Sequence, residues 1–136
     1  MRLLYISNDE ACIYRLDSAK DNKGPSQVRL EGYVNRLPLG ICDGDIQQLH
    51  CLFSPDLSKH LDVDPVTGKW IVREALSGKV FFEIPRTFLS YNPKDKAQVM
   101  WQTRFMAWEN DRQISLIDVN ADPYIHEIIQ IPELAN

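Results

Sequence analysis

Glycine is scarce in this chain, at six of 136 residues. Neither a GxxxxGK[ST] nor a GxGxxG segment occurs, so no phosphate-cradling loop is encoded. Long apolar runs are missing too. No stretch reaches the roughly 18 residues a membrane-spanning helix needs. Cysteine is limited to Cys12, Cys42 and Cys51, an odd count without CxxC spacing or the density of a secreted scaffold. Reduced thiols in a cytoplasmic protein are the expectation. The segment Met1 to Glu10 has too short an apolar run for a signal peptide. Positive charge is not in excess, with 15 Lys and Arg against 19 Asp and Glu. That balance argues against binding through nucleic-acid backbones, which depends on releasing counterions from phosphates. Repeats, heptads and low-complexity tracts are not evident.

What remains is an ordinary globular composition, 44% hydrophobic and 25% charged. The length predicts one domain over residues 1–136, able to bury a core without disulfide or metal. Charge, however, is unevenly placed. Phe105 to Asn136 hold six acids (Glu109, Asp111, Asp118, Asp122, Glu127, Glu133) against the single base Arg112, a net of −5 within a chain of net −4. This acidic stretch runs out of an aromatic segment, Val99 to Trp108. Displaced charge of one sign steers partners of the other, and Trp, Arg and Met favour interfaces.

Closely spaced turn residues favour strands over long helices. Leu3–Ile6 and Cys12–Leu16 read as a hairpin across Ser7 to Glu10. Residues 17–26 read as a flexible polar loop, and Val28–Val34 as a third strand. Asp45–Phe53 reads as a helix or a strand. Ser54–Leu61 resembles a helical turn, with Ser54 capping and Pro55 at the first position. Asp64–Lys69 is a turn with glycine where a left-handed residue is needed, leading into a strand from Trp70. Lys79–Ile84 reads as a strand ended by Pro85. Val99–Trp108 pairs with Gln113–Val119 across Glu109–Arg112. Tyr124–Ile131 reads as a short helix capped by Asp122 and Pro123, or as a strand on account of its β-branched residues. The expected fold class is mainly β or α+β: a single antiparallel-sheet domain, sandwich or partly open barrel, with two or three short helices. A parallel sheet is excluded by the lack of long crossovers.

No catalytic set stands out. Asp62–Gly68 superficially resembles a calcium loop, but Val66, Thr67 and Arg73 occupy positions that need a ligand, a glycine and a glutamate. Cys42, His50, Cys51 and His60 are zinc-type residues at spacings that do not suit zinc. Asp118, His126 and Glu127 form an acid-rich patch that a solvated, charged helix face explains better than acid–base chemistry does. No cofactor or metal is therefore expected. Along the aromatic strand, alternation places Val99, Trp101, Thr103, Phe105 and Ala107 on a core face. Met100, Gln102, Arg104, Met106 and Trp108 fall on the other, which is either a partly exposed binding surface or a face covered by a second layer or a terminal helix, with Arg104 pairing a local acid.

These residues predict a non-catalytic, acidic protein-binding domain that neutralises or escorts a partner with a basic surface, in the manner of an immunity protein, antitoxin, inhibitor or secretion-type chaperone. Its contact residues would be Arg104, Met106, Trp108, Glu109, Asp111, Asp118, Asp122 and Glu127. The alternative is a small enzyme or ligand-binding barrel with a pocket lined by Tyr33, Trp70, Phe82 and Trp101. A hydrolytic version would place His126 or His50 near Cys51 or an acid. A third reading, a subunit of a larger assembly, would reveal itself by large exposed apolar surfaces.

Overall fold

A computed structural model describes residues 1–7, 10–17, 27–35, 52–64, 66–85, 95, 106–118, 123 and 125–133. All regular structure among them is strand. β1 (Arg2–Ser7), β2 (Glu10–Asp17) and β3 (Gln27–Tyr33) form the first sheet. β4 (Lys59–Val63), β5 (Trp70–Glu74) and β6 (Val80–Glu83) form the second. β7 (Met106–Asn110), β8 (Gln113–Asp118) and β9 (Ile125–Gln130) form the third. Each is an antiparallel meander in chain order. The expected antiparallel, β-rich character is therefore present, but as three small sheets rather than one sheet, a two-sheet sandwich or a barrel.

The second sheet packs against both of the others. One face of β4 and β5 carries Leu61, Val63, Trp70 and Val72, which pack with Met106, Ile114, Leu116 and Ile129 of the third sheet. On the other side, Phe53 and Ala75 pack with Ala11, Ile13 and Val34 of the first. Ile6 touches both clusters. Every residue of β4 is buried as a result. Leu52–Ser54 lies along the free edge of β4 as a bridge-length fourth strand, with Leu61 N–H donating to Leu52 O at 2.9 Å.

Two hairpins of the middle sheet repeat one turn. Gly68 N–H donates to Asp64 O and Gly78 N–H to Glu74 O, both at 2.8 Å. Both glycines are left-handed, with φ of 73° and 74°, a conformation that costs other residues about 1–2 kcal/mol. The pattern of acid, two residues, Thr or Ser, Gly and Lys recurs ten positions apart, a short repeat that composition alone does not reveal. The Asp64 carboxyl lies below its ordinary value because the Val66 backbone N–H donates to it at 2.9 Å, which outweighs its partial desolvation.

The helical turn predicted at Ser54–Leu61 is corrected to a turn and a strand, and of the two readings of Tyr124–Ile131 the strand holds over Ile125–Gln130. At Ser54–Leu61, Pro55 takes the second position of a turn closed by Leu57 N–H donating to Ser54 O, and left-handed Leu57 (φ 62°) ends it. Lys59 onward is then drawn into β4 by pairing with β5. Tyr124–Ile131 contains β9, because Ile125, Ile128 and Ile129 suit a pleated surface and β8 supplies the partner strand. Of the loop predicted at 17–26, Asp17 instead ends β2 paired with Gln27, and 18–26 lie outside the described residues, as do most of Asp45–Phe53 and 99–105.

The β7–β8 loop is shorter than expected. Asn110 pairs with Gln113, and only Asp111 and Arg112 turn. Alternation along β7 is also the reverse of the expected one. Met106 and Trp108 point into the core opposite Leu116 and Ile114, while Ala107 is exposed. A bulge between Trp108 and Asn110 absorbs the change of phase.

Candidate functional site

The predicted contact residues do not form one surface. Arg104 and Asp122 lie outside the described residues. Met106 is 5% exposed and belongs to the core. Trp108 is half-buried, and its indole Nε1–H donates to Leu52 O at 2.9 Å. Asp111 uses one carboxylate oxygen to accept from the Asp56 backbone N–H at 2.8 Å, tying the third sheet to the turn before β4. Asp118 ends β8 opposite Ile125, and half-buried Glu127 sits opposite Leu116. Glu109 is exposed beside the bulge. Of the set, Glu109 and Asp111 alone stay together as an acidic turn. Strand alternation sends His126 to the opposite side from Glu127, so the expected helix-face patch is not built there.

Of the alternative aromatic pocket, Trp70 and Phe82 meet in one core cluster. Trp70 is buried between the second and third sheets, whereas Tyr33 stands on the far side of the first. Trp101 lies outside the described residues. No group of His, Cys, Asp and Glu among the described residues could hold a metal ion. Among the described residues no helix is long and apolar enough to cross a membrane.

The densest polar cluster is structural in form. Asp56 Oδ1 accepts from Ser54 Oγ at 2.8 Å, Ser58 Oγ at 2.7 Å and Ser58 N at 3.0 Å. Buried Lys59 donates to Ser58 Oγ at 3.0 Å. Partial desolvation pushes the Asp56 carboxyl up, but the Ser58 and Ser54 hydrogen bonds and the Lys59 charge together bring it below its ordinary value of 3.8. Those donors hold a tight turn; they leave no activated hydroxyl. The adjoining clefts, of about 150 Å³ beside Leu57 and Leu76 and about 410 Å³ beside Arg2 and Pro55, bring no acid–base pair to bear on a substrate.

Among the described residues, the exposed large apolar side chains gather most densely on the outer face of the first sheet. Register places Leu3, Tyr14 and Leu30 in one row, Tyr5, Cys12 and Tyr33 in the next, and Leu16 beside Val28. Leu3 (44%), Tyr5 (57%), Val28 (60%), Leu30 (44%) and Tyr33 (59%) are exposed. Leu30 and Tyr33 are three residues apart and share a face only because a bulge leaves Glu31 as an extra residue between the pairs Ile13–Gly32 and Tyr14–Leu30. Glu31 in turn accepts from Arg2 Nε at 3.0 Å. At the centre lies the buried thiol of Cys12. Hydrogen bonding with the Cys12 side chain, reinforced by that group's charge, raises the Tyr14 phenol above its ordinary value.

Sequence reasoning passed over this face, though a signal was present. Leu3-Leu4-Tyr5-Ile6 and Ala11-Cys12-Ile13-Tyr14 are apolar at both parities, the pattern of strands covered on both sides. No protein-family model, curated protein or solved structure matches the chain.

Proposed function

We propose that this protein acts by binding other protein surfaces rather than by catalysis. The observation that supports the reading is the contiguous Leu, Val and Tyr face of the first sheet. Soluble monomers rarely expose apolar patches of this kind without a partner. Covering each exposed Leu or Val side chain contributes roughly 1.5–3 kcal/mol, and tyrosine adds a rigid, amphipathic contact at low entropic cost.

The acidic turn at Glu109 and Asp111 is a second, smaller element, set at the end of the third sheet and away from its faces. It suits encounter with a basic protein, as expected of an inhibitor, antitoxin or immunity protein, since exposed charge acts mainly on association rate.

The two elements separate experimentally. Val28→Lys should abolish retention of a partner in a pull-down from native lysate while the circular dichroism spectrum stays unchanged. Glu109→Lys with Asp111→Asn should slow association and flatten its salt dependence. Retention of the same proteins by Val28→Lys at wild-type yield would sink the reading of the face.

A further inference from the structure

We infer that a row of three arginines at one end of the first sheet binds the phosphate group of a small molecule. The inference is independent of the apolar face and stands on register, charge and a cleft. Pairing sets Arg2 opposite Arg15 and Arg15 opposite Arg29, so each strand contributes one arginine to a single line across the sheet. Two residues along, the same side carries Leu4 and Ile13, which pack with Phe53. The line therefore lies on the side of the Ser54–Ser58 turn, and Arg2 Nη1 donates to Asp56 O there at 3.3 Å.

Like charges directly opposite on neighbouring strands destabilise a sheet, and the acids beside this row do not cancel it. Glu31 accepts from Arg2 Nε at 3.0 Å. Asp17 is shared, with Oδ1 3.2 Å from Arg15 Nε and Oδ2 3.1 Å from Arg29 Nη2. Three guanidiniums thus meet two carboxylates. The next acid, Asp56, is engaged within its own turn: Ser54 and Ser58 donate to Oδ1, and Lys59 Nζ stands 4.0 Å from Oδ2. Against the row opens a cleft of about 410 Å³, lined by Met1, Arg2, Arg15, Pro55 and Asp56. That space admits a small organic phosphate. Phosphate oxygens match the planar fork of a guanidinium, and a doubly charged group offsets the repulsion built into the row.

Titration with inorganic phosphate and with phenyl phosphate, followed by two-dimensional amide NMR at constant ionic strength in chloride, tests the site. Saturable shifts should centre on Arg2, Arg15, Arg29 and Asp56. Arg15→Gln should weaken binding about tenfold or more. It should also leave the unliganded protein no less stable, because it removes a like-charged neighbour; a purely structural arginine would show the reverse pair of effects. Arg29→Gln takes its place if Arg15→Gln fails to fold. Arg112→Gln, which removes the partner of Glu133 on the third sheet, should bind as the wild type does. Shifts that do not saturate overturn the inference, as do shifts that persist unchanged in the Arg15→Gln or Arg29→Gln variant. Succinate binding as tightly as phenyl phosphate overturns the assignment to phosphate.

Discussion

The middle and first sheets are built from the same kind of meander, yet they treat their second face in opposite ways. The middle sheet covers both faces and can therefore keep charge inside. Arg73 Nε donates to Asp62 Oδ2 at 2.8 Å and Arg73 Nη1 to Gly78 O at 2.8 Å, while Asp62 Oδ1 accepts from Val63 N. The first sheet has no buried ion pair among its described residues. Its ion pairs are more exposed, Arg15 and Arg29 with Asp17 at the rim and Arg2 with half-buried Glu31 between β1 and β3, and its open face is apolar. Polarity is thus inverted: charge within, hydrocarbon without. In a lone chain such an inversion is unfavourable, and a further covering layer removes the conflict.

Four measurements sharpen or break this contrast. The largest effect is expected at the buried ion pair. Asp62→Ala leaves the Arg73 guanidinium without its carboxylate and should cost about 3–5 kcal/mol in chemical denaturation. Asp62→Leu combined with Arg73→Met should recover most of that loss. A cost for Asp62→Ala no larger than a surface change would mean the middle sheet is less closed than its burial indicates.

Matched leucines come next. Leu61→Ala in the core should cost about 2–5 kcal/mol. In contrast, Leu30→Ala on the open face should stay within about 0.5 kcal/mol when the protein is dilute. Equal costs would show that Leu30 is already covered. At the repeated turn, Gly78→Ala should cost about 1–2 kcal/mol, because φ of 74° disfavours a side chain. An added Cβ would also stand 3.1 Å from Asn35 Oδ1.

The smallest effect is the pH dependence of Asp56. Its folded value lies below its unfolded one, so its contribution is fully present above about pH 4 and is lost as pH falls through the folded value. Asp56→Asn should flatten that acid limb of the stability profile. An unchanged limb would place the titration elsewhere.

Much of the strand content was legible because it depends on local chemistry. The hairpin of Leu3–Ile6 with Cys12–Leu16, the turn at Gly68 and the strand before Pro85 follow from apolar runs and turn residues. Pairing partners were not legible. Ser54-Pro55 and Asp122-Pro123 carry real helix-start signals, and each lost to a neighbouring strand that needed an edge. The phase of β7 was missed because both parities of that segment are apolar; only the packing of Met106 and Trp108 against the middle sheet decides which side is in. Candidate contact residues fared worse than the fold. Charge counting located Glu109 and Asp111 but could not foresee that Asp111 would be engaged by a backbone amide of another turn.

The bulge at Glu31 has a consequence for how this chain tolerates length changes. Strand side chains keep a period of two, and the extra residue resets that phase midway along β3. Deleting Glu31 would restore simple alternation: with Val28 and Leu30 outward, the next residue but one would be Tyr33, and Gly32 would occupy the deleted position's neighbouring slot. The glycine's place faces the Leu76 side chain, where an added Cβ would lie 3.3 Å away, so a one-residue frame shift there cannot be absorbed by swapping in a bulkier side chain. The tyrosine face therefore survives loss of its bulge: a single-codon deletion of Glu31 removes the Arg2 ion pair yet leaves Val28, Leu30 and Tyr33 on one side.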